Sequence, residues 1–194
     1  MDALTFLRQD HEAVLGMLEV LEDAPARPGP ATEGLDTLVT NLVIAESRHE
    51  AIEEQLFWPE VRRALDDGDA LADHAVEQEQ LGKQLLQRLD EGSPGEPAYH
   101  AALQEFVQLA REHIRFEQDV VWPRVRAAVD PARLEEIGEN LLKAKEVAPT
   151  RPHPNTPPGG AAQLTMGTVA GAVDHVRDRI SGRHRKNPPD PQIR

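Results

Sequence analysis

The sequence predicts an all-α fold: an antiparallel up-down-up-down four-helix bundle with an internal two-fold repeat, a short fifth helix and a flexible C-terminal tail. Three observations predict it. Apolar residues recur every third or fourth position, the spacing that lines one face of a helix, over four long stretches. Proline- and glycine-rich breaks at 25–34, 66–69, 92–97, 130–131 and 149–160 separate those stretches by short turns, which makes neighbours antiparallel. A block of the second stretch returns 64 residues later in the fourth, so the bundle reads as a duplicated helix pair. Strand signals are missing: β-branched residues are scattered and no hairpin dipeptide separates alternating runs.

The first helix spans 4–23, with Leu4, Leu7, His11, Val14, Leu15, Leu18 and Leu21 on one face. The second spans 35–65 on a stripe that includes Leu38, Leu42, Ala45, His49, Ile52 and Leu56. The third spans 70–89 and the fourth 98–129. A shorter fifth begins at Pro131, which suits a first helical turn, with Asp130 as N-cap and Leu134, Ile137, Leu141 and Leu142 facing the bundle. Residues 1–148 therefore form the folded body. In the tail, 149–194, residues 149–160 are too proline-rich for helix and read as an extended linker. A weak amphipathic helix is expected at 161–182 through Leu164, Val169, Val173, Val176 and Ile180, followed by a disordered basic end at 183–194.

Composition excludes much. The chain has 194 residues and a formal net charge of −13. The tail from 151 onward is basic, so the body is more acidic still and repels nucleic-acid phosphates. Cysteine is absent, which removes disulfides, thiolate nucleophiles, Fe–S clusters and Cys-zinc sites. No apolar run approaches the ~18 residues of a membrane span, and the first residues lack the basic-then-apolar build of a signal peptide. The expected location is cytoplasmic, and the chemistry falls to histidines and carboxylates.

The repeat carries that chemistry. His49 to Leu65 and His113 to Val129 share seven of 17 positions: His, Glu, Trp, Pro, Val, Arg and Ala. Asp10-His11 and Asp73-His74 echo each other on the first and third helices. Residues four apart lie one turn apart on the same helix face, so His49/Glu53 and His113/Glu117 can each grip one ion. Glu50 lies about 100° from His49 and reaches the same interior, whereas Glu54 and Asp119 fall further round and read as solvated. Four histidines on four helices, with carboxylates between them, suit a dinuclear site for Fe, Mn or Zn and not for Ca²⁺. Buried carboxylates are costly unless paired or metal-bound, which favours ligation over packing. Trp58-Pro59 and Trp122-Pro123 are expected to kink their helices, with the indoles in the core. Phe57, Phe116, Ile52 and Leu56 are candidates for the pocket wall. His100, His153, His175 and His184 lack partners at useful spacing.

This set of motifs resembles the hemerythrin-like HHE cation-binding family over 4–129; the Phe57-Trp58-Pro59 run is also typical. In its carboxylates it is similar to actinobacterial-type hemerythrin-like proteins and to the iron-sensing hemerythrin domain of a ubiquitin-ligase adaptor. The resemblance implies two non-haem Fe ions, oxo- or hydroxo-bridged, with Mn or Zn as other candidates. Its metal ligands are His11, His49, Glu50, Glu53, His74, His113 and Glu117. Glu53 and Glu117 would bridge, His11 and His49 would hold one iron, and His74 and His113 the other. Oxygen carriers of the family place two histidines four apart on the third helix. Here the position four after His74 is Gln78, a poor iron ligand, and Glu77 and Glu79 are out of register, so Glu50 is expected to complete the second iron. A carboxylate-rich set disfavours reversible O₂ carriage. The implied function is reaction with or sensing of a small oxidant (O₂, H₂O₂ or NO), with catalase-like peroxide removal as one form. No catalytic residue beyond the ligands, no nucleic-acid partner and no membrane span are expected. The alternative is a non-enzymatic iron-sensing module read by a protein partner.

Overall fold

Helix ends fall close to the proline and glycine breaks. The protein is described by a computed structural model covering residues 1–22, 34–155 and 168–181. α1 is Ala3–Glu22. Asp2 opens it, its carboxylate accepting from the Thr5 amide at 3.1 Å and the Thr5 hydroxyl at 2.8 Å, which satisfies a donor that a helix start leaves free. The second rod comprises α2 (Leu35–Ile52), a π-turn (Glu53–Phe57) and α3 (Trp58–Ala64). α4 runs Gly68–Glu91. The fourth rod repeats the second: α5 (Pro97–Phe116), a π-turn (Glu117–Val121) and α6 (Trp122–Ala128). α7 is Pro131–Val147, and Asp130 caps it as expected by accepting from the Ala132 amide at 2.8 Å. α8 is Thr168–Ser181. Among the described residues no helix is long and apolar enough to cross a membrane.

The two Trp-Pro pairs explain the π-turns. A proline inside a helix donates no amide bond and presses on the carbonyl four residues back. Each rod absorbs this by widening for one turn. The Trp58 amide donates to the Glu53 carbonyl and the Trp122 amide to the Glu117 carbonyl, five residues back. Each proline then enters a fresh α segment in its first turn, where the missing N–H is harmless. The repeat is thus present in the backbone as well as in the sequence. Both widened turns begin at a candidate ligand, which fits the tendency of π-bulges to sit at functional sites.

Two apolar clusters lie at opposite ends of the bundle. One joins Leu4 and Leu7 of α1 to Ile52, Trp58, Val61, Ala72, Trp122 and Val125, with Leu134, Ile137 and Leu141 of α7 laid over it. The other joins Val14, Leu18 and Leu21 to Leu42, Leu86, Leu89, Leu103 and Phe106. The start of α1 therefore meets the end of the second rod and the start of α4, the alternation of an up-down-up-down bundle. α7 packs so closely that a Cβ on Gly138 would stand 2.3 Å from the Met1 carbonyl oxygen, which is why that position has no side chain.

Residues 149–155 are non-helical, as the linker reading expected, but they are tied down. The Thr150 hydroxyl donates to Asp178 at 2.6 Å, and the Arg151 guanidinium reaches Asp90 at 2.7 Å and Asp178 at 3.1 Å. The Gln80 amide donates to the Pro154 carbonyl. The amphipathic reading of the tail helix is corrected here. Asp174 and Asp178 are buried, while Val173 and Val176 stand half exposed, so α8 docks by its polar side. The Arg151 guanidinium and the His153 ring supply polar partners that outweigh the weak pull of isolated valines. The expected roles of Leu164, Val169 and Ile180, and the disorder expected at 183–194, lie outside the described residues and side chains.

Candidate metal centre

A buried polar layer separates the two apolar clusters. α1 contributes Asp10 and His11, the second rod Glu46, His49, Glu50, Glu53 and Glu54, α4 Glu79 and Lys83, and the fourth rod His113 and Glu117, all buried. Two sets of four converge within it. His11, His49, Glu53 and Glu117 bring one ligand atom each to within 4.8 Å of one another; so do Glu53, Glu79, His113 and Glu117. Glu53 and Glu117 belong to both sets. In the first, the Nε2 atoms of His11 and His49 are 3.0 Å apart, His11 Nε2 lies 3.1 Å from Glu117 Oε2, and His49 Nε2 lies 3.2 Å from Glu53 Oε2. In the second, His113 Nε2 lies 3.2 Å from Glu117 Oε1. Glu117 thus turns one oxygen toward each set.

Second-layer groups orient these ligands. His49 Nδ1 faces Asp10 Oδ2 at 3.4 Å, His113 Nδ1 faces the Gln78 amide oxygen at 3.1 Å, and His11 Nδ1 pairs with the Gln118 amide at 3.0 Å. Such outer partners fix ring orientation and leave Nε2 for a ligand. The Trp122 indole stacks on His11 at 4.9 Å, and the Trp58 indole N–H donates to Glu79. The repeated tryptophans therefore back one ligand in each half, a role beyond the packing expected of them.

The structure places several of the expected site residues apart from these two sets. His74 is exposed and packs edge-on against Phe116, away from both sets; Glu79 occupies the place on α4 assigned to it. The two differ by five residues, roughly 7.5 Å along the axis and about 140° around it. A signal for Glu79 existed: with Ala72, Ala75, Gly82 and Leu86 it lies on the inward stripe of α4, which His74 does not share. Glu50 is buried but joins neither set, and faces Gly82, whose missing side chain makes room for it. Glu54, read as solvated, is buried and ion-paired to Lys83; Asp119 is exposed as expected. Phe57 packs on Trp58 and, like Ile52, Leu56 and Phe116, is not among the residues that wall the cavity beside the centre. The cavity beside the centre, about 20 Å³, is walled by Phe106, Leu109, Ala110 and Ile114 together with His11, Glu46, His49, Glu50, Gln78, Glu79, Gly82 and His113.

The donor atoms fit a cation. Both oxygens of Glu53 and of Glu117, Glu79 Oε2 and His113 Nε2 are buried without a hydrogen bond, an arrangement that costs about 1–3 kcal/mol per group unless another partner is present. Burial, reinforced by neighbouring carboxylates, pushes Glu53 and Glu79 well above the usual carboxylate range; burial does the same to Glu50 against the pull of Lys83. Burial lowers His11 to about 4, whereas at His113 the charges of Glu117, Glu79 and Glu46 overcome burial and raise it to about 9.

These shifts set a pH dependence for the metal-free protein. Groups whose protonated form is favoured by folding lose their stabilising effect as pH rises through their folded-state values. Above pH 6.5 His113, raised to about 9, acts in this direction, while the contributions of the depressed Asp10, Glu117 and His11 are already complete or nearly so. The expected result is a melting temperature that falls by about 5 °C or more from pH 6.5 to 9. A rise over that interval would contradict these environments.

Residues 2–125 match the hemerythrin HHE cation binding domain. The chain belongs to that family. Its similarity to an uncharacterized hemerythrin-like protein of Schizosaccharomyces pombe is 23% identity over 135 residues, 69% of this chain and 66% of that relative. In fold it is similar to a hemerythrin HHE cation binding domain-containing protein of Mycobacterium kansasii, with TM-score 0.61 and 21% identity, covering 90% of this chain and 99% of that one. The His/Glu layer is thus a buried site, in a cation-binding family, whose residues can hold a metal.

Proposed function

We propose that this HHE protein holds two non-haem iron ions and reacts with, or senses, a small oxidant such as O₂, H₂O₂ or NO. The observation that carries the reading is the sharing of Glu53 and Glu117 by both ligand sets. Two carboxylates common to two sets suit a bridged pair of cations, and mixed imidazole and carboxylate donors suit iron, with Mn or Zn as competitors. Bound iron supplies electron exchange with the oxidant. The chain's own residues do the rest. His11, His49 and His113 and the three carboxylates place the ions, the two tryptophans hold His11 and Glu79, and the apolar clusters keep bulk water from the layer. The cavity, at about 20 Å³, has room for a water-sized molecule, which favours two- to four-atom ligands and supports catalase-like peroxide removal as the enzymatic form.

The test is metal quantification on full-length protein purified without a histidine tag, with absorption spectra before and after peroxide. Two irons per chain, near-UV absorption of a bridged pair and a peroxide-dependent spectral change are expected. Uptake of a single zinc with no response to peroxide would overturn the proposal. One observation favours iron sensing as a second reading: Gln80, next to Glu79, holds the tail backbone at Pro154, so metal occupancy can bear on the tail. Peroxide inertness of the iron-loaded protein, with release of the tail on chelation, would select it.

A further inference from the structure

We infer that the appended helix α7 is part of the metal centre: Lys145, acting through Asp10, positions His49. The inference rests on the reading that the His/Glu layer holds metal, and it concerns a helix outside the matched residues 2–125. Lys145 is buried, with its ammonium 2.6 Å from Asp10 Oδ1 and 5.5 Å above the Phe6 ring. Asp10, also buried, turns its other oxygen toward His49 Nδ1 at 3.4 Å. His49 Nε2 in turn faces His11 and Glu53. Three elements, α7, α1 and α2, are joined in one line that ends on a ligand nitrogen.

The chemistry of the line is directional. A carboxylate held by an ammonium only accepts hydrogen bonds, so the proton on His49 sits on Nδ1 and the Nε2 lone pair faces the centre. His113 and His11 have amide partners, Gln78 and Gln118, which can offer either an oxygen or an N–H. Asp10 offers only oxygen, so the tautomer of His49 alone is dictated by a charged partner among these three. A lysine two residues from the end of α7 has an easy route to solvent. Burying its charge instead is costly unless the ion pair is complete, and that cost is met at the residue behind a ligand. Lys145 is a positioning residue: it works through Asp10.

Lys145→Met keeps the stem and removes the charge, Lys145→Arg restores it, and Asp10→Asn keeps the shape while letting the partner donate. Cobalt(II) titration of the metal-free full-length protein, followed by its visible absorption, reads the metal sites, and nitrogen NMR of His49 in the metal-free state reads its tautomer. Supporting the inference, Lys145→Met weakens binding at one site by about 10–100-fold, the Nδ1–H form of His49 ceases to dominate, and Lys145→Arg recovers both. If Lys145→Met does not fold, Asp10→Asn is expected to give the same two changes. Unchanged cobalt affinity and an unchanged tautomer, with only a lower melting temperature, would overturn it and leave a structural ion pair. Should the wild-type chain bind no cobalt, the metal reading fails separately, and the tautomer measurement still decides whether Lys145 sets His49.

Discussion

Glu53→Gln is expected to abolish metal binding at both ligand sets while leaving the metal-free protein at least as stable as the parent. Both effects follow from one carboxylate. Glu53 belongs to each ligand set, so its loss takes a donor from both. Without metal, neither of its oxygens has a hydrogen bond, and burial with neighbouring carboxylates disfavours its charge. An amide of the same size removes that charge from the interior, and neutralising an uncompensated buried carboxylate relieves several kcal/mol of desolvation in order of magnitude. Metal content per chain and melting temperature in chelator decide it. A variant that retains two ions, or that melts well below the parent when metal-free, would show that Glu53 serves packing and not ligation.

The second large effect separates two residues of α4. Glu79→Gln is expected to lose the ion of the second set and keep that of the first, because Glu79 contributes to one set only. His74→Ala is expected to lose neither, since the imidazole lies at the surface against Phe116. Metal stoichiometry of the two variants measures both outcomes, with a loss of at least 10-fold in affinity expected at the second set for Glu79→Gln. The opposite pattern, an ion lost with His74 and none with Glu79, would sink the placement of α4 and restore the ligand read from the motif.

How far the site was legible depended on where each ligand sits. His49, Glu53, His113 and Glu117 were readable because their pairing is local: four residues along one helix place two donors together whatever the rest of the chain does. His11 was readable as a histidine on an otherwise apolar face. The third helix had no such local pair. There the motif favoured His74, on the analogy of Asp10-His11 with Asp73-His74, whereas α4 turns Glu79 and not His74 toward the layer. Lys145, Gln78 and Gln118 each act on a residue at least 35 positions away, and no short-range pattern announces them. The polar docking of α8 was missed for a similar reason, since the partners of its aspartates, Thr150, Arg151 and His153, lie on another segment.

The amino-acid order alone determined the all-helical class, the near positions of the helix ends, the repeat and the two His-x-x-x-Glu ladders, because helical periodicity and proline or glycine punctuation act over a few residues. Tertiary structure decided which face of each rod meets the interior at the height of the ladders. That choice placed Glu79 in the layer and His74 outside it, aimed Glu50 at Gly82, and brought α7 behind His49. Its physical basis is the packing of two apolar clusters at opposite ends of the bundle, which sets the rotation and axial shift of every helix together, so a ligand's depth is a property of the assembled rods.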